Sequence, residues 1–290
     1  MRNFKDKVAV VTGGASGIGL AMARCFAREG MRVVIADVEV DALTAAEREI
    51  RDMGATAIGV RTDVSRSQDI EALAAKTLKA FGGVHIVCNN AGVGGTPGAL
   101  WERTLEDWQW VIDVNLWGVI HGIRTFVPIM LKHGEDAHVV NTASIAGLLS
   151  SPFLGTYHAT KHAIVTISEV LYAELATAGA HIGVSVLCPG FVKTRIMESA
   201  RNRPSELPGG ELSPAAQVWE KGFRSMVQAG MSPDVVADKV LDAIREGKLY
   251  ILTHPEFNEP IRQRVEGILA DRNPAWQAPV TNSESLSHAS

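Results

Sequence analysis

Short apolar runs alternate with longer amphipathic segments along most of the chain. The runs are rich in valine and isoleucine and cover about residues 8–11, 32–37, 56–60, 84–88, 137–142, 181–187 and 249–252. Runs without a polar face are typical of strands that are covered on both sides. The segments between them repeat apolar residues at helical spacing. The pattern predicts an α/β fold, doubly wound, with a mostly parallel seven-stranded sheet flanked by helices.

Capping residues and glycines predict where the helices begin and end. Ser67 is the expected cap of a helix over 67–81, and Thr104 opens a long one that ends at Gly134. Pro128 is a candidate kink in that long helix. Further helices are expected over about 156–178, from Ser232-Pro233 onward, and over 255–269.

Residues 193–231 depart from this alternation. They contain Pro204, Pro208 and Gly209-Gly210 around a short amphipathic piece near 218–227. An insertion of this length at a strand end predicts a substrate lid, although a surface excursion without such a role is the alternative. Residues 1–270 are then expected to form a single domain, and 271–290 a flexible polar tail.

Composition excludes several classes of protein. With 290 residues, 46% of them hydrophobic, the chain can bury a large core, although length alone also allows two domains. The net charge of −4 and the lack of a basic run argue against nucleic-acid binding. No unbroken apolar stretch reaches membrane-spanning length, so we expect a cytoplasmic protein. The three cysteines and nine histidines lack metal-ligand spacing, so no metal is expected.

The first apolar run leads into a turn with three glycines. Gly13, Gly17 and Gly19 separate it from an alanine-rich helix. Glycines let a backbone approach a ligand closely, and the free N–H groups of a helix start bind pyrophosphate. Alternatively, the glycines only let strand and helix pack closely. The turn predicts a dinucleotide site in a Rossmann-type fold.

Asp37 ends the next apolar run, 18 residues after Gly19. A carboxylate there can accept hydrogen bonds from the adenosine ribose and repel a 2′-phosphate. The alternative is a solvated residue at a strand end. Ser16 and Val38 offer no positive charge where an arginine could neutralise that phosphate, so NAD is favoured over NADP.

Tyr157 and Lys161 lie four residues apart on a predicted helix and therefore on one face of it. A nearby ammonium favours the phenolate form of tyrosine, which can then act as a base. Ser144, at the end of the preceding strand, could add a hydroxyl donor. Such a pair is common by chance, and alone it would be better explained as a surface pair on a helix.

Several motifs occur together in an order that resembles the short-chain dehydrogenase/reductase family over about residues 5–193. They are Thr12-Gly13-x-x-x-Gly17-Ile18-Gly19, Asn89-Asn90-Ala91-Gly92, Asn115, Ser144, Tyr157-x-x-x-Lys161 and Pro189-Gly190-x-Val192-x-Thr194. The resemblance implies an NAD(P)-dependent oxidoreductase that interconverts a secondary alcohol and a ketone, usually as a tetramer. We expect a homo-oligomer, a tetramer or a dimer.

The same resemblance implies roles for individual residues. Tyr157 would be the general acid/base, and Lys161 would lower its pKa and hold the nicotinamide ribose. Ser144 would polarise the substrate oxygen, and Asn115 would keep a water in a proton relay. The implied cofactor-binding residues, besides Tyr157 and Lys161, are Gly13, Ser16, Gly17, Ile18, Gly19, Asp37, Asp63, Val64, Asn90, Ala91, Gly92, Pro189, Gly190, Val192 and Thr194.

The chain departs from the family pattern between Tyr157 and Lys161, where His158 and Ala159 replace a small polar pair. This departure bears on the substrate pocket. The segment 250–256 resembles members that handle bulky apolar or aryl alcohols. Apolar residues that could line such a pocket, or pack elsewhere, are Leu148, Leu149, Phe153, Leu154, Leu207, Trp219, Phe223 and Met226. The alternative function is an NAD-binding regulatory or scaffold protein without turnover.

Overall fold

The computed structural model describes residues 1–274, and the strands in this part of the chain form a parallel sheet. They are β1 (Val8–Thr12), β2 (Arg32–Asp37), β3 (Ala57–Arg61), β4 (Ile86–Asn89), β5 (Ala137–Thr142), β6 (Ile182–Cys188) and β7 (Tyr250–Leu252). Their order across the sheet is β3-β2-β1-β4-β5-β6-β7. The predicted seven-stranded, doubly wound fold is confirmed.

Helices connect the strands and cover both faces of the sheet. They are α1 (Gly17–Arg28), α2 (Val40–Asp52), α3 (Ser67–Phe81), α4 (Leu105–Val111), α5 (Gly118–His133), α6 (Gly155–Thr177), α7 (Pro214–Gln228), α8 (Pro233–Glu246) and α9 (Asn258–Leu269). A π-helical segment, Ile112–Trp117, joins α4 to α5. The long predicted helix is therefore irregular at this segment, whereas α5 continues through Pro128.

The strand order reverses at β1, which pairs with β2 on one side and β4 on the other. The chain builds outward to β3 and then returns to add β4 at the opposite edge of β1. In such sheets the connections leave β1 and β4 in opposite directions and open a crevice beyond their carboxyl ends. The glycine turn after β1 and the asparagines after β4 meet there.

Two apolar layers form the core, one on each face of the sheet. Along β1, Ala9 and Val11 belong to the layer that contains Phe26 of α1. Val8 and Val10 belong to the opposite layer. This alternation is the two-residue period of a strand, and it explains why strands buried on both faces appear as unbroken apolar runs.

Some predicted helix boundaries are confirmed and others need correction. The Thr104 hydroxyl accepts a hydrogen bond from Asp107 N (3.2 Å), as an N-cap does. The predicted Ser67 cap is wrong, because α3 begins at Ser67 itself and lacks a side-chain cap. The segment 255–269 divides into a 3-10 turn and α9. Residues 275–290 of the predicted tail lie outside the described residues.

The helix that runs from Leu105 to His133 is long and apolar enough to cross a membrane by length and composition. Core helices of water-soluble proteins meet the same criterion. Here the helix packs against α3, α6 and β4. We therefore attribute its apolar composition to packing within the fold.

Candidate active site

The glycine turn after β1 exposes backbone, without covering side chains, to the crevice beyond the strand ends. Gly13 and Gly17 have φ values of +61° and +53°, which only glycine adopts without strain. A Cβ at Gly13 would lie 2.8 Å from the Cα of Ala91. Because α1 begins at Gly17, its free N–H groups face this turn. A Cβ at Gly19 would lie 2.1 Å from the carbonyl oxygen of Gly13, so Gly19 serves close packing.

Asp37 holds its carboxylate beside this turn. One oxygen accepts a hydrogen bond from Ala15 N (3.0 Å), and the other accepts one from Glu39 N (3.1 Å). Burial raises the pKa of the Asp37 carboxyl, and these backbone N–H groups partly offset the effect. Asp37 is therefore a fixed acceptor at the carboxyl end of β2.

A cavity of about 900 Å³ runs along the carboxyl ends of the strands. The predicted site residues that line it are Gly13, Ser16, Gly17, Ile18, Asp37, Asp63, Val64, Asn90, Ala91, Gly92, Ser144, Tyr157, Lys161, Pro189, Gly190, Val192 and Thr194. Gly19 and Asn115 lie behind the wall. The fold thus gathers the predicted residues from separate strand ends around a common space.

Three candidate catalytic side chains line this cavity together. Tyr157 and Lys161 lie on the first turns of α6, and Lys161 Nζ is 5.4 Å from the centroid of the Tyr157 ring. The ammonium donates a hydrogen bond to Thr142 O at 2.9 Å. The Ser144 hydroxyl, which follows β5, lies near enough to the Tyr157 phenol to lower its pKa. The phenol is thus placed between a hydroxyl and a cation.

Burial dominates the electrostatics of this group. It raises the pKa of the Tyr157 phenol, and the nearby Ser144 hydroxyl offsets this only in part. Burial lowers the pKa of Lys161 to about 8, so the Lys161 amine is still mostly protonated at pH 7. With its pKa raised, Tyr157 holds its proton at neutral pH. The expectation that Lys161 lowers the tyrosine pKa stays a prediction.

Asn115 lies in the π-helical segment and is fully buried. Its Oδ1 accepts a hydrogen bond from Val93 N (2.8 Å), and its Nδ2 donates one to Val93 O (3.0 Å). A Cβ at Gly92 would be within 3.6 Å of both Asn115 Oδ1 and Lys161 Nζ. Asn115 therefore fixes the loop that passes between itself and Lys161.

Apolar side chains surround the other half of the cavity. Leu149, Leu154, Leu207 and Phe223 line it as predicted. The other four predicted pocket residues are not in the wall. The Trp219 ring stacks on Phe223, Phe153 meets Trp219 at a tilted angle, and Leu148 and Met226 lie elsewhere. Wall residues that the sequence did not single out are Trp110, Phe191, Met197, Leu212, Val227 and Phe257.

Two ionic links tie the segment 193–231 to the rest of the fold. Glu39, after β2, accepts hydrogen bonds from the guanidinium of Arg201 (2.6 Å) and from Asn202 (2.9 Å). Asp107 of α4, which is 1% exposed, accepts one from Arg203 at 2.7 Å. The partners lie far apart in sequence, so no local pattern could have indicated these pairs.

The residues present fit a dinucleotide. Gly13 and Gly17 present backbone without side chains to the cavity, and the N–H groups of α1 face this turn. Asp37 supplies a carboxylate at the position of an adenosine ribose. Within residues 1–274, no three histidine, cysteine or acidic side chains are grouped to hold a metal.

Comparison with known proteins agrees with this geometry. The family model for short chain dehydrogenases matches residues 7–205. The chain is 34% identical over 279 residues to the CLA biosynthesis dehydrogenase/reductase of Lactiplantibacillus plantarum, which covers 94% of this chain and 97% of that protein. It is 32% identical over 280 residues to the C alpha-dehydrogenase of a Sphingobium species, with 96% and 90% covered.

A solved structure shows the same fold. The crystal structure of a short chain dehydrogenase/reductase from Burkholderia phymatum, in complex with NAD, superimposes with a TM-score of 0.94. The two chains are 45% identical, and 97% of this chain and 100% of that one are covered. The protein therefore belongs to the short-chain dehydrogenase/reductase family of oxidoreductases.

Proposed function

We propose that the protein is an NAD(H)-dependent oxidoreductase that interconverts a secondary alcohol and a ketone with bulky apolar or aryl substituents. The observation that carries this proposal is the position of Tyr157, with Ser144 and Lys161, in the same cavity as the glycine turn. An acid/base group and a dinucleotide site must share a space for a proton and a hydride to move together.

The phenol of Tyr157 performs the proton transfer. In ketone reduction its O–H donates a proton to the carbonyl oxygen, while the Ser144 hydroxyl donates a hydrogen bond to the same oxygen. In alcohol oxidation the phenolate of Tyr157 takes the hydroxyl proton. A bound nicotinamide supplies the hydride chemistry. Lys161, still charged at neutral pH, stabilises the phenolate when it forms.

The cofactor preference follows from Asp37. Its carboxylate is held by backbone N–H groups from both sides, so it cannot easily turn away from a ligand. A 2′-phosphate placed beside it would be repelled, whereas ribose hydroxyls would donate hydrogen bonds to it. We therefore favour NAD over NADP.

The remaining assignments follow from the cavity and the family. Residues 193–231 act as a lid within a single catalytic domain of residues 1–270, because their apolar side chains Leu207 and Phe223 form part of the cavity wall. The substrate is a small-molecule alcohol or ketone. We place the enzyme in the cytoplasm as a homo-oligomer, which cell fractionation and light scattering would test.

Replacement of the phenol tests the proposal directly. Tyr157→Phe removes the proton donor and keeps the ring, so we expect alcohol-dependent NADH formation to fall by about 10²- to 10⁴-fold. The affinity for NAD should stay within about threefold, because most of the dinucleotide would touch other groups. Tyr172→Phe, an exposed tyrosine on the same helix, is the matched control and should leave the rate unchanged.

The alternative, a binding protein without turnover, predicts a different result. Such a protein would bind NAD, yet would neither oxidise alcohols nor reduce ketones across a panel of aryl and alkyl substrates. Equal rates in Tyr157→Phe and the unmodified protein would also contradict the proposed role of the phenol.

A further inference from the structure

The turn that follows β6 forms the cavity wall beside Ser144. His254, which follows β7, hydrogen-bonds this turn from the other side. Pro189 and Gly190 line the cavity. On the catalytic side, Pro189 O accepts hydrogen bonds from Ile145 N (2.9 Å) and from the Ser144 hydroxyl (3.4 Å). On the other side, the imidazole of His254 contacts the backbone of the next two residues. The turn is thus clamped between two segments.

His254 makes two complementary hydrogen bonds with this turn. Its Nδ1 is 3.1 Å from Gly190 N, and its Nε2 is 3.0 Å from Phe191 O. A backbone N–H can only donate, so Nδ1 must accept and carry no proton. The hydroxyl of Thr253 lies 2.6 Å from Nδ1 and, since Nδ1 carries no proton, is the donor in that contact as well. The proton therefore lies on Nε2, which donates to Phe191 O.

Packing fixes the ring in this position. His254 is 8% exposed. A Cβ at Gly190 would lie 2.8 Å from the ring carbon Cγ of His254 and 2.7 Å from the Phe257 ring. Phe191 O also accepts a hydrogen bond from Met231 N (2.9 Å), at the end of the lid segment. The imidazole therefore joins the turn, the lid segment and the end of the sheet at a common point.

We propose that His254 is a positioning residue that sets the backbone of the turn 189–191 relative to Ser144 and Tyr157. The inference rests on the proposed function, because the turn matters for turnover only if a nicotinamide binds against it. A displacement of about 1 Å near reacting groups can reduce a rate by about 10²-fold. His254 does not touch the reacting atoms and acts through Gly190 and Phe191.

Two variants distinguish the effect of the His254 hydrogen bonds from the effect of the ring's volume. His254→Phe keeps a planar ring and loses both hydrogen bonds. His254→Asn places an amide oxygen close to the position of Nδ1 and can still accept from Gly190 N. His138→Leu removes another buried histidine, which lies on β5 and hydrogen-bonds Ser185 away from the cavity, and is the matched control.

The first readout needs no activity. In the unmodified protein, nitrogen NMR should show the His254 ring protonated on Nε2 and bare on Nδ1. Amide hydrogen exchange at Gly190 should be slow in the unmodified protein and in His254→Asn, and at least about tenfold faster in His254→Phe. The control should leave Gly190 exchange unchanged. The inference would be overturned if Gly190 exchanged at the same rate in His254→Phe as in the unmodified protein. It would also be overturned if NMR placed the His254 proton on Nδ1 of the unmodified protein.

The second readout is kinetic. In His254→Phe we expect kcat to fall by about tenfold or more and the deuterium isotope effect on hydride transfer to rise, with the KM for NAD within about threefold. His254→Asn should recover part of the rate. An unchanged kcat in His254→Phe would overturn the positioning role. If the unmodified protein shows no turnover, the proposed function fails instead, and Gly190 exchange still decides whether His254 holds the turn.

Discussion

The Asp37 carboxylate has two roles, one toward the expected ribose and one toward the backbone of the glycine turn. Its oxygens bind Ala15 N and Glu39 N, so the same group that would meet a ribose also anchors the glycine turn to β2. An asparagine at this position keeps one carbonyl acceptor and a similar shape. It loses the negative charge and one of the two backbone hydrogen bonds.

We expect Asp37→Asn to weaken the preference for NAD. Loss of a unit charge near a 2′-phosphate is worth about 1–2 kcal/mol in a partly solvated site, so the ratio of kcat/KM for NAD over that for NADP should fall by about tenfold. Asp41→Asn, an exposed acid on the first turn of α2, is the control and should leave the ratio unchanged. A ratio that does not move in Asp37→Asn would show that the preference is set elsewhere.

His138 illustrates the effect of burial on a titratable group. The ring is 1% exposed, and its Nε2 lies 2.8 Å from the Ser185 hydroxyl, which donates to Lys248 O. Burial lowers the pKa of His138 from 6.5 to about 3. Between these two values the unfolded chain binds a proton that the folded protein excludes. Stability from this group is therefore complete above pH 6.5 and declines as the pH falls.

Acid should therefore destabilise the protein less when His138 is absent. From pH 7.5 to 5.5, the free energy of unfolding of the unmodified protein should drop by about 1.4 kcal/mol more than that of His138→Leu. Urea unfolding at the two pH values measures both quantities. The same drop in both proteins would mean that His138 does not titrate as its burial indicates. Burial also lowers the pKa of His158, and its contribution is common to both proteins.

At the scale of elements, two helical glycines have opposite surroundings. Gly122 lies in α5 where the helix crosses β4, and a Cβ there would come within 1.9 Å of Asn89 Oδ1. Gly222 lies in α7, and a Cβ there would meet nothing within 4 Å. The first glycine permits close packing of helix on sheet, whereas the second only adds backbone freedom to the unfolded chain.

Alanine at these two positions should change stability in opposite directions. Gly122→Ala overpacks the helix–sheet contact and should cost about 1–3 kcal/mol. Gly222→Ala improves helix propensity without a clash and should add about 0.5–1 kcal/mol. Chemical denaturation of both variants tests the pair. A stabilised Gly122→Ala would show that α5 can move away from β4 at little cost.

At the scale of the whole molecule, several large apolar side chains on the long helices remain exposed in the single chain. They include Trp117 at the end of the π-helical segment and Val170 on α6, each more than 40% exposed. These two helical segments are neighbours in the fold. Exposed apolar side chains on neighbouring helices are what a homo-oligomer would cover.

We expect the protein in solution to have two or four times the chain mass of 31.1 kDa. A charge placed on the proposed interface should reduce that mass, so Val170→Glu should shift the assembly to smaller species in light scattering. Val218→Glu, an exposed valine on α7, is the control and should leave the mass unchanged. If light scattering shows the unmodified protein to be a monomer, the proposed homo-oligomer is wrong.

The sequence predicted the elements well because local rules control them. Apolar runs buried on both faces, helical spacing and terminal glycines are properties of neighbouring residues. Strand limits shifted by one or two residues, and Ser67 failed as a cap, because helix ends depend on contacts that local sequence does not contain. The π-helical segment around Asn115 was missed for the same reason, since apolar periodicity looks alike in both helix types.

The sequence by itself determined the sheet, the glycine turn and the motif that resembles a family, because these depend on spacing along the chain. Only the tertiary structure decided which distant side chains meet. Examples are the pairing of Arg201 with Glu39 and of Arg203 with Asp107, and the clamp of His254 on Gly190. It also decided that burial raises the pKa of Tyr157. Desolvation and long-range contacts arise from packing in three dimensions, which sequence spacing does not record.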